Sequence, residues 1–141
     1  ASSDPRKGPE NIGLPQEWME WYGKQMPLDD RNGKYFDAIF HLYGEQRLPA
    51  YLGVKQFACK RHIFITSDRF HAIDVMRRFV KEDVELSEFS VDPYNPKDVQ
   101  NSLLKYIEET FGTKNLKLGF NLTGGTKLMY AGTLNVCRQL G

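Results

Sequence analysis

"LKLGFNLTGGTKLMY", residues 116–130, decides how the chain is read. Residues 116–122 form a short apolar run of strand character, and Gly124 and Gly125 break it. From Thr126 onward the chain resumes at helical spacing, with Leu128, Gly132, Val136 and Leu140 four residues apart. A strand that passes through a glycine turn straight into a helix is half of a strand–helix–strand unit. The rest of the chain shows whether that unit repeats.

It repeats upstream. "NPKDVQNSLLKYIEETFG" (95–112) reads as a helix with Asn95 as cap, Pro96 in the first turn and Gly112 at the stop. Its apolar face is Val99, Leu103, Tyr106, Ile107 and Phe111. "DVELSEFSV" (83–91) alternates at period two, as a strand does. "RFHAIDVMRRFVK" (69–81) is predicted as a helix carrying Phe70, Ile73, Met76, Phe79 and Val80 on one stripe, with Ser67 or Asp68 as its cap. "HIFITSD" (62–68) and "DAIFHLYG" (37–44) read as buried strands, and "LPAYLGVKQFA" (48–58) between them as a helix.

The order is βαβαβαβα. Strands separated by helices imply parallel pairing with right-handed crossovers. The expected fold is an open, Rossmann-like α/β sheet, mainly parallel, with flanking helices. Residues 1–36 read as a linker-like segment, polar at the start, with a short amphipathic helix at 14–26 that carries Trp18, Met19, Trp21, Tyr22 and Met26. Both ends read as cut, so that the unit at 37–141 is expected to be one module of a longer protein.

Composition narrows the function classes. A chain of 141 residues fits one domain with a single core. A formal net charge of +1 excludes a broadly cationic duplex-binding surface and makes any anion site a local one. Cys59 and Cys137 are far apart in sequence and are read as reduced core thiols on helical faces, as in a cytoplasmic protein. No apolar run approaches the roughly 20 residues of a membrane span. His41, His62 and His71 are scattered, and there is no HExxH or CxxC pair, so no metal is expected.

In open parallel sheets, ligands bind beyond the carboxyl ends of the strands. The four segments that follow the strands are "GEQRLP" (44–49), "TSDR" (66–69), "DPYNP" (92–96) and "TGGTK" (123–127), and all are polar. In TGGTK, two glycines let backbone amides approach a phosphate, and the helix start and Lys127 favour an anion. Thr123 and Thr126 add hydroxyls. A plain glycine turn capped by Thr126 explains the same residues, and both readings stand at this point. In the other loops, Gly44 allows close approach, Glu45 and Gln46 offer hydrogen bonds, and Arg47 offers charge. Thr66 and Ser67 can bond a ribose or base, Asp68 can cap, and Arg69 or Phe70 can meet a phosphate or a base. Tyr94 can stack. No G-x-x-x-x-G-K-[ST] or G-x-G-x-x-G pattern is present.

These residues point to a family. "NLTGGTKLM", after a strand and opening a helix, resembles the hallmark motif of CARF domains, the CRISPR-associated Rossmann-like sensors. "LYGEQRLP" and "ITSDR" stand where that family also has ligand-contacting loops. The resemblance covers roughly residues 37–141. It implies a homodimer, or a higher even oligomer, that binds a cyclic oligoadenylate across its two-fold axis, cyclic tetra-adenylate foremost, and activates a fused effector in type III CRISPR antiviral defence. The site residues that follow are Gly44, Glu45, Gln46, Arg47, Thr66, Ser67, Asp68, Arg69, Tyr94, Asn121, Thr123, Gly124, Gly125, Thr126 and Lys127. No cofactor and no catalytic residue are expected. A membrane connection would run only through a segment outside this chain. The competing readings are a ring nuclease that cleaves the messenger, and a Rossmann-like domain for an ordinary mononucleotide.

Overall fold

The four strand-like runs differ in how they hide their side chains, and that difference places them in the sheet. AIFHL and RHIFIT are buried almost throughout, which suits strands covered on both faces. ELSEFS and LGFN are only partly buried, which suits edges. A computed structural model describes residues 36–45, 47–57, 59–67, 70–112 and 116–140. The amphipathic helix expected at 14–26 lies outside the described residues, as do Gln46, Asp68 and Arg69.

The strands are β1 (Ala38–Leu42), β2 (Arg61–Thr66), β3 (Glu85–Ser90) and β4 (Leu118–Asn121). They form one parallel sheet in the order β3-β2-β1-β4. Register sets Phe40 beside Ile63 on one side and Phe120 on the other. The helices are α1 (Leu48–Gln56), α2 (Ile73–Met76, continued by a 3-10 turn at Arg77–Phe79), α3 (Pro96–Phe111) and α4 (Lys127–Leu140).

Strand alternation divides the core in two. Ala38, Phe40, Leu42, Ile63 and Ile65 face α3 and α4, meeting Val99, Leu103, Phe111, Met129 and Val136. Phe40 is the centre of that layer, stacked on Phe120 at 5.1 Å between ring centroids and edge-on to Tyr106 at 6.0 Å. The opposite face carries Tyr43 and Phe64 against Ala50, Tyr51 and Val54 of α1 and Met76 of α2.

The structure corrects three sequence expectations. The helix expected at 69–81 begins only at Ile73, with Ala72 at its N-cap position and no side-chain cap among the described residues. The amide of Ala72 is taken instead by a Glu88 carboxylate oxygen of β3 at 2.8 Å. Phe70, Met76, Phe79 and Val80 do pack together, so the apolar stripe reflected the core rather than a continuous helix. On α4 the buried residues are Met129, Gly132, Thr133 and Val136, while Leu128 and Leu140 are exposed. Met129 therefore holds the helix on the sheet, and Leu128, read as its partner in the core, does not. Cys59 and Cys137 are both free thiols, but Cys59 lies in the turn before β2 and not on a helix. Burial raises the pKa of both. Among the described residues no helix is long and apolar enough to cross a membrane.

Candidate functional site

A parallel sheet delivers every post-strand loop to the same edge. The order β3-β2-β1-β4 adds a second condition, because the chain leaves β1 in one direction for β2 and β3 and returns on the other side for β4. After β1 the chain enters α1 on one face of the sheet. After β4 it enters α4 on the other face. The loops diverge there, and an open crevice follows.

The crevice is a cleft of about 720 Å³. Gly44 and Glu45 line it after β1, Ser67 and Phe70 after β2, Asp92 and Tyr94 after β3, and Gly125 and Thr126 after β4. All four post-strand loops thus reach one space. The glycines make this meeting physically possible. A Cβ on Gly44 would stand 3.0 Å from the Cα of Gly125, and one on Gly124 would run into the carbonyl oxygen of Leu42. Gly125 turns with a φ of 75°, a conformation that costs an L side chain about 1–2 kcal/mol.

At one end of the cleft stands the start of α4. The Thr126 hydroxyl accepts from the Met129 amide at 3.0 Å and donates to the Pro93 carbonyl. It is the helix cap, and it also fastens the loop after β3 to the loop after β4. The remaining first-turn amides are donors without a helical acceptor, at the positive end of the helix dipole. Lys127 is exposed beside them and makes no ion pair among the described residues. The rest of the cleft is acidic, with Glu45, Asp92 and Asp98 among its lining. The two aspartates also shape the loop: the Asp92 amide donates to Asp98 at 2.8 Å and the Tyr94 amide to Asp92 at 3.0 Å. Such a cleft suits a ligand with phosphate at one end and amino or hydroxyl donors at the other. Tyr43 lies at its floor, and burial pushes its phenol up to about 12, with Arg47 opposing and Glu88 adding to the shift.

The expected site residues separate into groups. Gly44, Glu45, Ser67, Tyr94, Gly125 and Thr126 line the cleft. Gly124 supplies the close approach to β1. Arg47 is half-buried just before α1. Thr66 is buried in the sheet, its hydroxyl donating to the Phe89 carbonyl at 3.4 Å. Asn121 and Thr123 border a different space, an apolar trough of about 770 Å³ between α1 and β4. Sequence reading missed Asp92, Asp98, Ser90 and Ser102 as cleft residues. Asp98 and Ser102 sit four apart on α3, one turn of the same face, and that spacing was the available signal.

A family model described as the Card1 CARF domain matches residues 39–141. No curated protein sequence matches the chain. Among solved structures, Can2 from Sulfobacillus thermosulfidooxidans, in complex with cyclic tetra-adenylate, is similar with a TM-score of 0.60 and 24% identity, over 78% of this chain and 30% of that chain. The present chain therefore spans less than a third of that protein.

Proposed function

The chain belongs to the CARF domain family, and from that membership we propose that it is a sensor domain that binds a cyclic oligoadenylate in type III CRISPR defence. The observation that carries the reading is the convergence of all four post-strand loops on one cleft beside the helix start at Thr126 and Lys127. Can2, which shares the fold, is itself held in complex with cyclic tetra-adenylate, which makes that ring the first candidate.

A ring of repeating nucleotides with even symmetry fits a site built twice about a two-fold axis. Two copies of Lys127 and of the amides of Gly125 would face phosphates, and two copies of the Glu45 and Ser67 loops would meet sugars and bases. Tyr94, Leu128 and Tyr130 are exposed large apolar side chains, at 71%, 39% and 44% of full exposure. They flank the helix start and offer the face on which a second copy would close the cleft. Binding would then shift an effector carried elsewhere in the protein.

Calorimetric titration with cyclic tri-, tetra- and hexa-adenylate tests this directly. Binding of cyclic tetra-adenylate is expected at one ring per two chains. Lys127→Ala should weaken it roughly 10- to 100-fold, the effect of one charge-assisted contact. If ATP or NAD bound and no cyclic oligoadenylate did, the sensor reading would give way to an ordinary nucleotide-binding one.

A second reading, cleavage of the ring, gains one observation. It needs a base to activate a ribose hydroxyl, and Glu45, Asp92 and Asp98 place carboxylates in the cleft. Linear products in mass spectra after incubation with the ring would support it, and an intact ring would leave the sensor alone.

A further inference from the structure

The cleft loop is held from below by a buried chain of side chains that its surface does not reveal. Asn121 ends β4 with its amide turned away from the cleft. Its Oδ1 accepts from the Thr123 amide at 3.2 Å and the Thr123 hydroxyl at 2.6 Å. Its Nδ2 donates to the Pro49 carbonyl at 3.3 Å and to His41 Nδ1 at 3.0 Å. His41 Nε2 lies 2.8 Å from His62 Nδ1. Both histidines are buried in the strand interior.

These partners leave one arrangement of protons. A backbone amide only donates and a carbonyl only accepts. Thr123 and Pro49 therefore fix which end of the Asn121 amide is oxygen. The amide then presents N–H to His41 Nδ1, which must be a bare acceptor. Neutral His41 carries its proton on Nε2 and donates it to His62 Nδ1. His62 in turn carries its proton on Nε2. Gly53 of α1 makes room for this contact: a Cβ there would run into the Asn121 amide nitrogen and stand 3.0 Å from His41 Nδ1. A mid-helix glycine costs about 1 kcal/mol against alanine, so its place in α1 has a packing reason.

We propose that His41 and His62 are positioning residues for the ligand loop: their single proton order holds the Asn121 amide, which holds Thr123 and so presents Gly124–Lys127 to the ligand. This rests on the cyclic-oligoadenylate reading of that loop. A purely packing role would be met by apolar side chains of equal size. Here an apolar residue at 41 strands an Asn121 N–H without its acceptor. The groups that face His41 are His62 and the Phe64 ring from β2, the neutral amide of Asn121 from β4, and Gly53 from α1. Protonation of His41 on Nδ1 would set two donors against each other and break the link to the loop.

Three variants and three readouts test this. Nitrogen-15 imidazole spectra of the whole chain should show His41 and His62 both protonated on Nε2; a proton on Nδ1 of His41 would overturn the proposal. His41→Gln supplies an acceptor and should keep the wild-type cyclic tetra-adenylate affinity and the wild-type hydrogen-exchange rate of the Thr123 amide. His41→Leu should lose about tenfold in affinity and speed that exchange about tenfold, the effect of one lost hydrogen bond. Equal behaviour of the two variants would refute the positioning role. Asn121→Asp replaces the donor with an acceptor and needs a proton between residues 121 and 41. Its affinity should rise as the pH falls from 8 to 6, whereas the wild type stays flat. A flat profile in both overturns the proton order. Exchange at Thr123 reads the positioning without any ligand, so a chain that binds no cyclic oligoadenylate yet shows the His41→Leu effect would sink the ligand reading and keep this one.

Discussion

At Gly125 one backbone angle decides how the loop after β4 meets the cleft. Its φ of 75° turns the chain from β4 into α4. An added Cβ would be strained there and would stand 3.1 Å from Met129 Sδ and 3.2 Å from the Leu42 Cβ. Gly125→Ala should therefore destabilise the fold by about 1–2 kcal/mol, read as a lower melting temperature. It should also weaken ligand binding, because the turn carries the amides of the helix start. Thr126 plays the part that the plain-turn reading gives it. Its hydroxyl caps α4, and its neighbour Lys127 is exposed in the first turn of that helix. Asn121, a candidate ligand contact from its place in the motif, accepts from Thr123 through Oδ1 and donates to His41 Nδ1 through Nδ2.

Helix starts are built differently at the level of the element, and the difference predicts where they break. The Asn95 side chain accepts from the amides of Lys97 and Asp98 at 3.1 and 3.2 Å. Asn95→Ala should cost about 1 kcal/mol in denaturant unfolding. It should also loosen the Asp92–Tyr94 turn that lines the cleft. The short α2 has no side-chain cap, and its preceding amide depends on Glu88 from a neighbouring strand. Local capping signals were legible in the sequence for α3, where the cap lies next to the helix. They failed for α2, where the partner lies 16 residues away. The edges of the sheet follow the same logic. β3 is only partly buried because one of its sides lacks a neighbouring strand, and β1 is buried throughout because strands and helices surround it.

For the molecule as a whole, two global behaviours follow. Burial lowers the pKa of His62 to about 4 and that of His41 well below its ordinary 6.5, with His62 adding to the effect on His41. Unfolding exposes both histidines, which then bind protons near 6.5. Stability is full above that pH and falls as the pH drops from about 6.5 toward 4, because the unfolded state takes up protons that the folded state refuses. The loss from His62 alone is on the order of 3 kcal/mol. Denaturant midpoints measured across pH 4–8 check this, and a flat profile would contradict the neutral buried pair. The exposed Tyr94, Leu128 and Tyr130 lead to the second prediction. For the proposed dimer, Leu128→Glu should shift the chain toward monomer in sedimentation and reduce ligand affinity in parallel, with little effect on folding since the residue is exposed.

Much of this protein is written locally. Periodicity, glycine breaks and the Asn95–Pro96 cap define three of the four helices and all four strands, since each depends on neighbours a few residues apart. The same local signal marked TGGTK as special, and the family match over residues 39–141 agrees with the resemblance seen there. The assembly of the cleft is not local. Strand order brings the loops after β1 and β4 together, and register brings His41 against His62 and Asn121. Those contacts join residues 21 and 80 positions apart. No spacing along the chain encodes which buried polar atoms will meet, because that depends on how two packed faces come together. Tertiary structure alone therefore decided that Leu128 faces outward, that Asp92 and Asp98 enter the cleft, and that the glycine loop rests on a buried pair of histidines.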